Sequence, residues 1–192
     1  MPLAPPESPP NLMPAVLRLP RGVAGCDIGF AEFAALADWE LPGRRSRVTA
    51  DPAAGDLTVA LRRSFTARRG RITLAADRRW TIECGRGLAG VAIDARHPAF
   101  AGLVVHGGTN RLSVRLGEPA TLRFEGGASH VEIVREAGAT ARLRFGGAYS
   151  GVWVDGAEHA SGRGGEITAG DGAPRIECVF ASSAAHVVLR DE

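Results

Sequence analysis

Lysine is absent from this chain: all 23 of its basic residues are arginine. With alanine, glycine and proline abundant, the composition looks like the product of a GC-rich bacterial genome. Cysteine is scarce too. Cys26, Cys84 and Cys178 are an odd number with no Cys-x-x-Cys spacing, which argues against a disulfide framework and against a zinc site. No segment approaches the ~18 consecutive apolar residues that a bilayer-spanning helix needs, so membrane insertion is not expected. The opening MPLAPPESPP lacks the basic and apolar regions of a secretory signal, and a cytoplasmic location is the expectation. Gly-x-Ser-x-Gly, the phosphate-binding loop and a Gly-x-Gly-x-x-Gly opening a helix are all missing. No cofactor is implied.

What is present is a repeat. Gly107-Gly108, Gly126-Gly127 and Gly146-Gly147 lie 19 and then 20 residues apart, and each pair separates two short alternating segments. A period of about 20 residues points to a stack of repeated units. The first segments are Trp80–Ile82, Leu103–Val105, Leu122–Phe124, Leu143–Phe145 and Ile176–Cys178. The second are Val91–Ile93, Leu112–Val114, Val131–Ile133, Val152–Val154 and Val187–Leu189. In every triplet the outer two residues are apolar or cysteine and the middle one is mixed, so a strand with a dry and a wet side is expected. The fold class is therefore all-β: a single-stranded β-solenoid of about 20-residue coils with two short strands each. Corner glycines would supply positive φ.

The remaining chain is read around that stack. Residues 1–14 carry six prolines and should be a disordered tail. Residues 15–77 form an N-terminal cap with early, degenerate coils. Within it Ala15–Leu19 reads as a strand, and Phe30, Phe33, Ala34 and Ala37 fall at helical spacing, predicting one short helix between Phe30 and Trp39. Residues 78–192 form the solenoid proper, interrupted by a small, polar, glycine-rich insert at 157–173. That insert is expected to leave the stack as a loop or hairpin.

The segment RFEGGASHVEIVREAGATARLRFGGAYSGVWVDG resembles the toastrack-like, putative-adhesin β-solenoid domains of uncharacterised bacterial proteins. Gly126-Gly127-Ala128-Ser129 and Gly146-Gly147-Ala148 match the group's corners. Gly117-Glu118-Pro119 and Ala137-Gly138 occupy its turn region, and Asp155-Gly156 resembles its later part. Ser182-Ser183-Ala184 departs from the Gly-Gly corner. The resemblance spans residues 78–190 and implies architecture, with no catalytic motif to carry over.

Candidate functional residues are few. Trp153, a middle residue, should point outward, flanked by Tyr149 and Val188, as an apolar contact spot, unless the insert folds back over it. Ten arginines against three carboxylates between Arg44 and Arg79 leave a local excess of seven positive charges. Arg62, Arg63, Arg68, Arg69, Arg78 and Arg79 are the candidates for binding an anionic ligand or a nucleic acid. His130 and His186 precede equivalent strands, but several coils apart they should not converge on a metal. Glu132 and Glu177 are likewise expected to lie in different sheets, too far apart for glycosidic acid–base cleavage. The sequence thus reads as a non-catalytic structural or interaction module, with a protein partner or a second copy as its contact. The alternative is an anion binder through the arginine cluster, and a carbohydrate-active β-helix enzyme is the distant third.

Overall fold

The computed structural model describes residues 12–32, 35–41, 47–51, 53–60, 69–117 and 119–192. Among these residues there is no helix, and 18 strands join in one sheet. In chain order they are β1 (Met13–Leu19), β2 (Val23–Ala24), β3 (Cys26–Ala31), β4 (Ala37–Glu40), β5 (Arg47–Asp51), β6 (Asp56–Ala60), β7 (Gly70–Ala75), β8 (Arg78–Cys84) and β9 (Gly87–Ala95). They continue as β10 (Phe100–Val105), β11 (Gly108–Leu116), β12 (Ala120–Phe124), β13 (Ala128–Arg135), β14 (Ala141–Val154), β15 (Ala157–His159), β16 (Gly162–Ala169), β17 (Ile176–Phe180) and β18 (Ala184–Asp191).

The alternating triplets become strands as their pattern requires. In each, the outer residues are buried and the middle one is half-buried or exposed. The predicted helix between Phe30 and Trp39 is not formed. Phe30 belongs to β3 and Ala37 to β4, while Phe33 and Ala34 lie outside the described residues. Helical spacing of four apolar side chains was a weak signal here, because β3 gains a full parallel partner, from Cys26 opposite Gly70 to Ala31 opposite Ala75. Tertiary pairing of that length overrides local propensity.

The parallel pairings form two ladders. One runs β6–β1–β8–β10–β12–β17–β14. The other runs β7–β3–β9–β11–β13–β18–β14. Each step along both ladders is a rung of two strands, and β14 supplies both halves of the last one. Spatial order departs from chain order twice. The rung β1/β3 sits between β6/β7 and β8/β9, and the rung β17/β18 sits between β12/β13 and β14. Both ends of the array finish in antiparallel strands. β5 lies along β6 and β4 along β7 at one end; β15 and β16 lie along β14 at the other. The 157–173 insert is thus a strand pair laid against the last rung, where Ile167 and Ala169 oppose Leu143 and Ala141 and are buried.

The core is a set of side-chain columns running between the rungs. Leu17, Ile82, Leu103, Leu122, Cys178 and Leu143 are fully buried at one register. At the next inward register Phe124, Phe180 and Phe145 stack with centroids 4.9 and 5.1 Å apart and planes within 10° and 8°. That separation is close to the strand spacing itself, so each ring rests on the next.

The inserted rung is also pinned by charge. Arg135 on β13 is only 3% exposed. Its Nε donates to Asp191 Oδ1 at 2.7 Å and its Nη2 to Asp155 Oδ2 at 2.7 Å, tying β18 and the end of β14 to β13. A buried guanidinium requires such counter-charges.

The two bends within each rung use glycine differently, and this corrects the expected role of the corner glycines. None of Gly107, Gly108, Gly126, Gly127, Gly146 and Gly147 has a positive φ. Four of them are needed for close approach: a Cβ on Gly107 would overlap the Arg86 carbonyl and one on Gly126 the Gly107 carbonyl, while one on Gly146 would stand 2.9 Å from the Ala181 carbonyl oxygen and one on Gly147 2.7 Å from the Ser182 carbonyl carbon. The left-handed conformation occurs instead at the next bend, in a column through successive rungs: Gly25 (φ 59°), Gly90 (62°), Arg111 (59°), His130 (53°), His186 (52°) and Gly151 (58°).

Candidate functional site

β13, β18 and β14 lie side by side, and the last two carry the candidate contact residues Trp153, Tyr149 and Val188. Val188 opposes both Glu132 on β13 and Trp153 on β14, in the middle, outward position of its triplet. Trp153 is 41% exposed. β15 runs beside it, with Glu158 opposite, and leaves that exposure in place. Tyr149 is a different case. It is half-buried, its ring stacks on Phe145 at 4.5 Å, and its hydroxyl lies against Gly162 of the end hairpin, where an added Cβ would stand 2.7 Å from it. Trp153 and Val188 therefore share an outward row, while Tyr149 closes the end of the core.

Two rows away lies the left-handed column. His130 and His186 are separated in sequence by the whole of β14 to β17, yet the insertion of β17/β18 makes them neighbours. Their rings stack with centroids 4.8 Å apart and planes within 20°. The expectation that they lie several coils apart is thereby overturned, because that distance assumed that spatial order follows chain order. Arg111 faces His130 from β11, between the pairs Asn110–Ser129 and Leu112–Val131. Stacked rings do not direct two nitrogens at one ion, and among the described residues no group of three or more His, Cys, Asp or Glu side chains is arranged to hold a metal. The histidine signal was visible in the sequence as two equivalent positions; their contact was not.

A shallow groove of about 450 Å³ adjoins this column. Gly127, Ser129, Tyr149, Ser150, Ser183 and Ala185 line it. Ser129 Oγ donates to Asn110 Oδ1 at 3.2 Å.

The outward carboxylates are engaged. Glu132 accepts from Ser113 Oγ at 3.0 Å and from Arg190 at 3.0 Å. Glu177 pairs with Arg144 at 2.8 Å. They stand on neighbouring rungs but on opposite ladders. Elsewhere His106 Nδ1 lies 2.7 Å from Glu125 Oε2, and His106 followed by Arg123 holds the Glu125 carboxyl below the usual carboxylate range. All three cysteines are buried thiols. Burial pushes Cys178 up to about 12, and burial followed by the neighbouring Asp27 does the same to Cys26, so neither is a nucleophile near neutral pH.

The arginine cluster falls only partly among the described residues. Arg62, Arg63 and Arg68, with Arg44 and Arg45, lie outside them. Arg69 is committed to Asp27 at 2.7 Å and to the Gly90 carbonyl at 3.2 Å. Arg78 and Arg79 begin β8, Arg78 half-buried and Arg79 exposed. Arg79 opposes Pro14, and the structure does not draw these three into one site.

No protein-family profile matches the chain, and no curated protein does. The fold itself has a precedent. A "putative cell adhesion protein" from Clostridium sporogenes ATCC 15579, known from its crystal structure, superposes with a TM-score of 0.62 over 96% of this chain and 95% of that one, at 12% sequence identity. At that identity the likeness concerns the fold. Among the described residues no helix is long and apolar enough to cross a membrane.

Proposed function

We propose that this chain is a non-catalytic β-solenoid interaction module that makes its contact through the Trp153 face, with a second copy as the first partner to test. The solenoid reading is supported by the two parallel ladders, in which residues about 20 apart in the middle rungs oppose one another at constant inward register. The observation that carries the contact is Trp153, a large apolar side chain 41% exposed in an outward row with Val188. A tryptophan held rigidly in a sheet is a good anchor, because it buries a large area with little loss of side-chain entropy. The adhesion-protein neighbour supports an interaction role at the level of fold. The pairing of Glu132 and Glu177 with arginines supports the non-catalytic reading, since each carboxylate is already spent on a structural contact.

The test is size-exclusion chromatography with light scattering on the wild-type protein and on Trp153→Ala, at low and high salt. A dimer or larger species that becomes monomeric in the variant is the expected result. A wild-type monomer at all concentrations and salts contradicts self-association through this face.

A further inference from the structure

The column Arg111–His130–His186 is a row of one guanidinium and two imidazoles with no assigned role. Six residues occupy the same left-handed position on six rungs, and three of them are glycine. Glycine takes this conformation without the steric penalty of about 1–2 kcal/mol that a Cβ brings. The three non-glycine members are consecutive along the ladder, and all three are exposed basic or imidazole side chains. Strain retained where a strain-free residue works on the neighbouring rungs is a pointer to use. The partners of the row are also informative. Arg111 makes no ion pair among the described residues, and the two imidazoles contact one another. The one outward carboxylate beyond them on β13, Glu132, is taken by Arg190 and Ser113. So the row offers one guanidinium and two imidazoles about one strand spacing apart, 4.8 Å between the histidine rings, beside a groove lined by Ser129, Ser150 and Ser183.

We propose that this row and groove bind an acidic polysaccharide, its carboxylates on Arg111, His130 and His186 and its hydroxyls on the serines. The arrangement favours that ligand over other polyanions. A peptide strand has no place to add here, because β13 and β18 are hydrogen-bonded along both edges, leaving no free backbone for strand addition. The groove is shallow and lined by glycine, alanine and serine apart from Tyr149, so it has no deep pocket for a large side chain, and its three serines can meet a hydroxyl-rich chain. A nucleic acid backbone demands several phosphate contacts from a broad basic surface, whereas this row is three residues wide with Glu132 at its border. The inference uses residues distinct from the Trp153 contact.

The experiment is isothermal titration of the whole chain with a short oligogalacturonide, its methyl ester and sodium sulfate. Two variants accompany the wild type. One replaces Arg111, His130 and His186 by glycine, the residue that holds the same position on other rungs. The other is Arg111→Gln with His130→Asn and His186→Asn, which keeps polar side chains that tolerate left-handed backbone. The wild type should bind the acid form, more weakly as salt rises, and the ester and sulfate at least tenfold less well. Both variants, folded by circular dichroism, should lose about tenfold or more in affinity. Trp153→Ala should bind as the wild type does, which separates this result from the self-association result. Any of the following overturns the proposal: no binding by the wild type, equal binding of the ester, binding of sulfate alone, or variants within about twofold of wild type.

Discussion

The two bends of a rung are held by different physics. At the first bend the chain passes so close to the preceding rung that a Cβ has no room, as at Gly107 against the Arg86 carbonyl and Gly126 against the Gly107 carbonyl. At the other bend the shared requirement is the dihedral angle, with open space at Gly25 and Gly90, and the column accepts Arg111, His130 and His186 at nearly the same φ as Gly25, Gly90 and Gly151. A steric requirement from neighbouring backbone is absolute, whereas a dihedral preference is a modest energy that a function can outweigh. At Gly107 and Gly126 the glycine therefore serves the scaffold, whereas in the left-handed column the side chain can vary.

Substitutions should separate the two bends in graded fashion. The largest effect belongs to Gly107→Ala, where the backbone itself must move; a loss of about 3 kcal/mol is expected in denaturant unfolding. Gly151→Ala should follow at about 1–2 kcal/mol, from the left-handed φ of 58° and a Cβ placed 3.2 Å from His186 Nδ1. His130→Gly reverses the sign. It relieves a left-handed residue and should leave the protein unchanged or up to about 1 kcal/mol more stable, so a clear destabilisation would show that the imidazole stack supports the fold. The smallest effect is Gly127→Ala. Its Cβ would meet nothing nearer than Ser183 Oγ at 3.5 Å, and a change within about 0.5 kcal/mol is expected. If Gly127→Ala proves as damaging as Gly107→Ala, close backbone approach is not what decides which corner positions require glycine.

Much of this was legible in the sequence, and the limits have physical causes. The inward and outward residues of every triplet from Trp80 to Leu189 could be read because alternation is local, requiring only the strand period. The strand Ala15–Leu19 could be read for the same reason. Phe30 to Trp39 could not, because a helix-like spacing yielded to long-range pairing with β7, parallel for β3 and antiparallel for β4. The order of the rungs could not be read either. The repeats 120–135, 141–154 and 176–189 carry equivalent patterns, so any of them fits against any other in the same register, and nothing local states that the third goes between the first two. Arg135 and its carboxylates Asp155 and Asp191 carry that information, but only as a contact across three strands. The candidate site inherits the same limit. Trp153 and Val188 were visible as outward positions, whereas the meeting of His130 with His186 depends on the insertion.

The insertion of β17/β18 between β13 and β14 is therefore the claim on which the rest depends, and paired cysteines test it directly. Ser129 opposes Ala185, and Ala185 opposes Ser150, so Ser129 and Ser150 are two strand spacings apart, beyond the reach of a disulfide. The measurement is disulfide formation under mild oxidation in Ser129→Cys/Ala185→Cys and in Ser129→Cys/Ser150→Cys, read by mass spectrometry of the folded monomer. The first pair is expected to close and the second to stay open. Closure of the second pair in place of the first would restore the sequential order, part the two histidines and break up the Arg111–His130–His186 row with them.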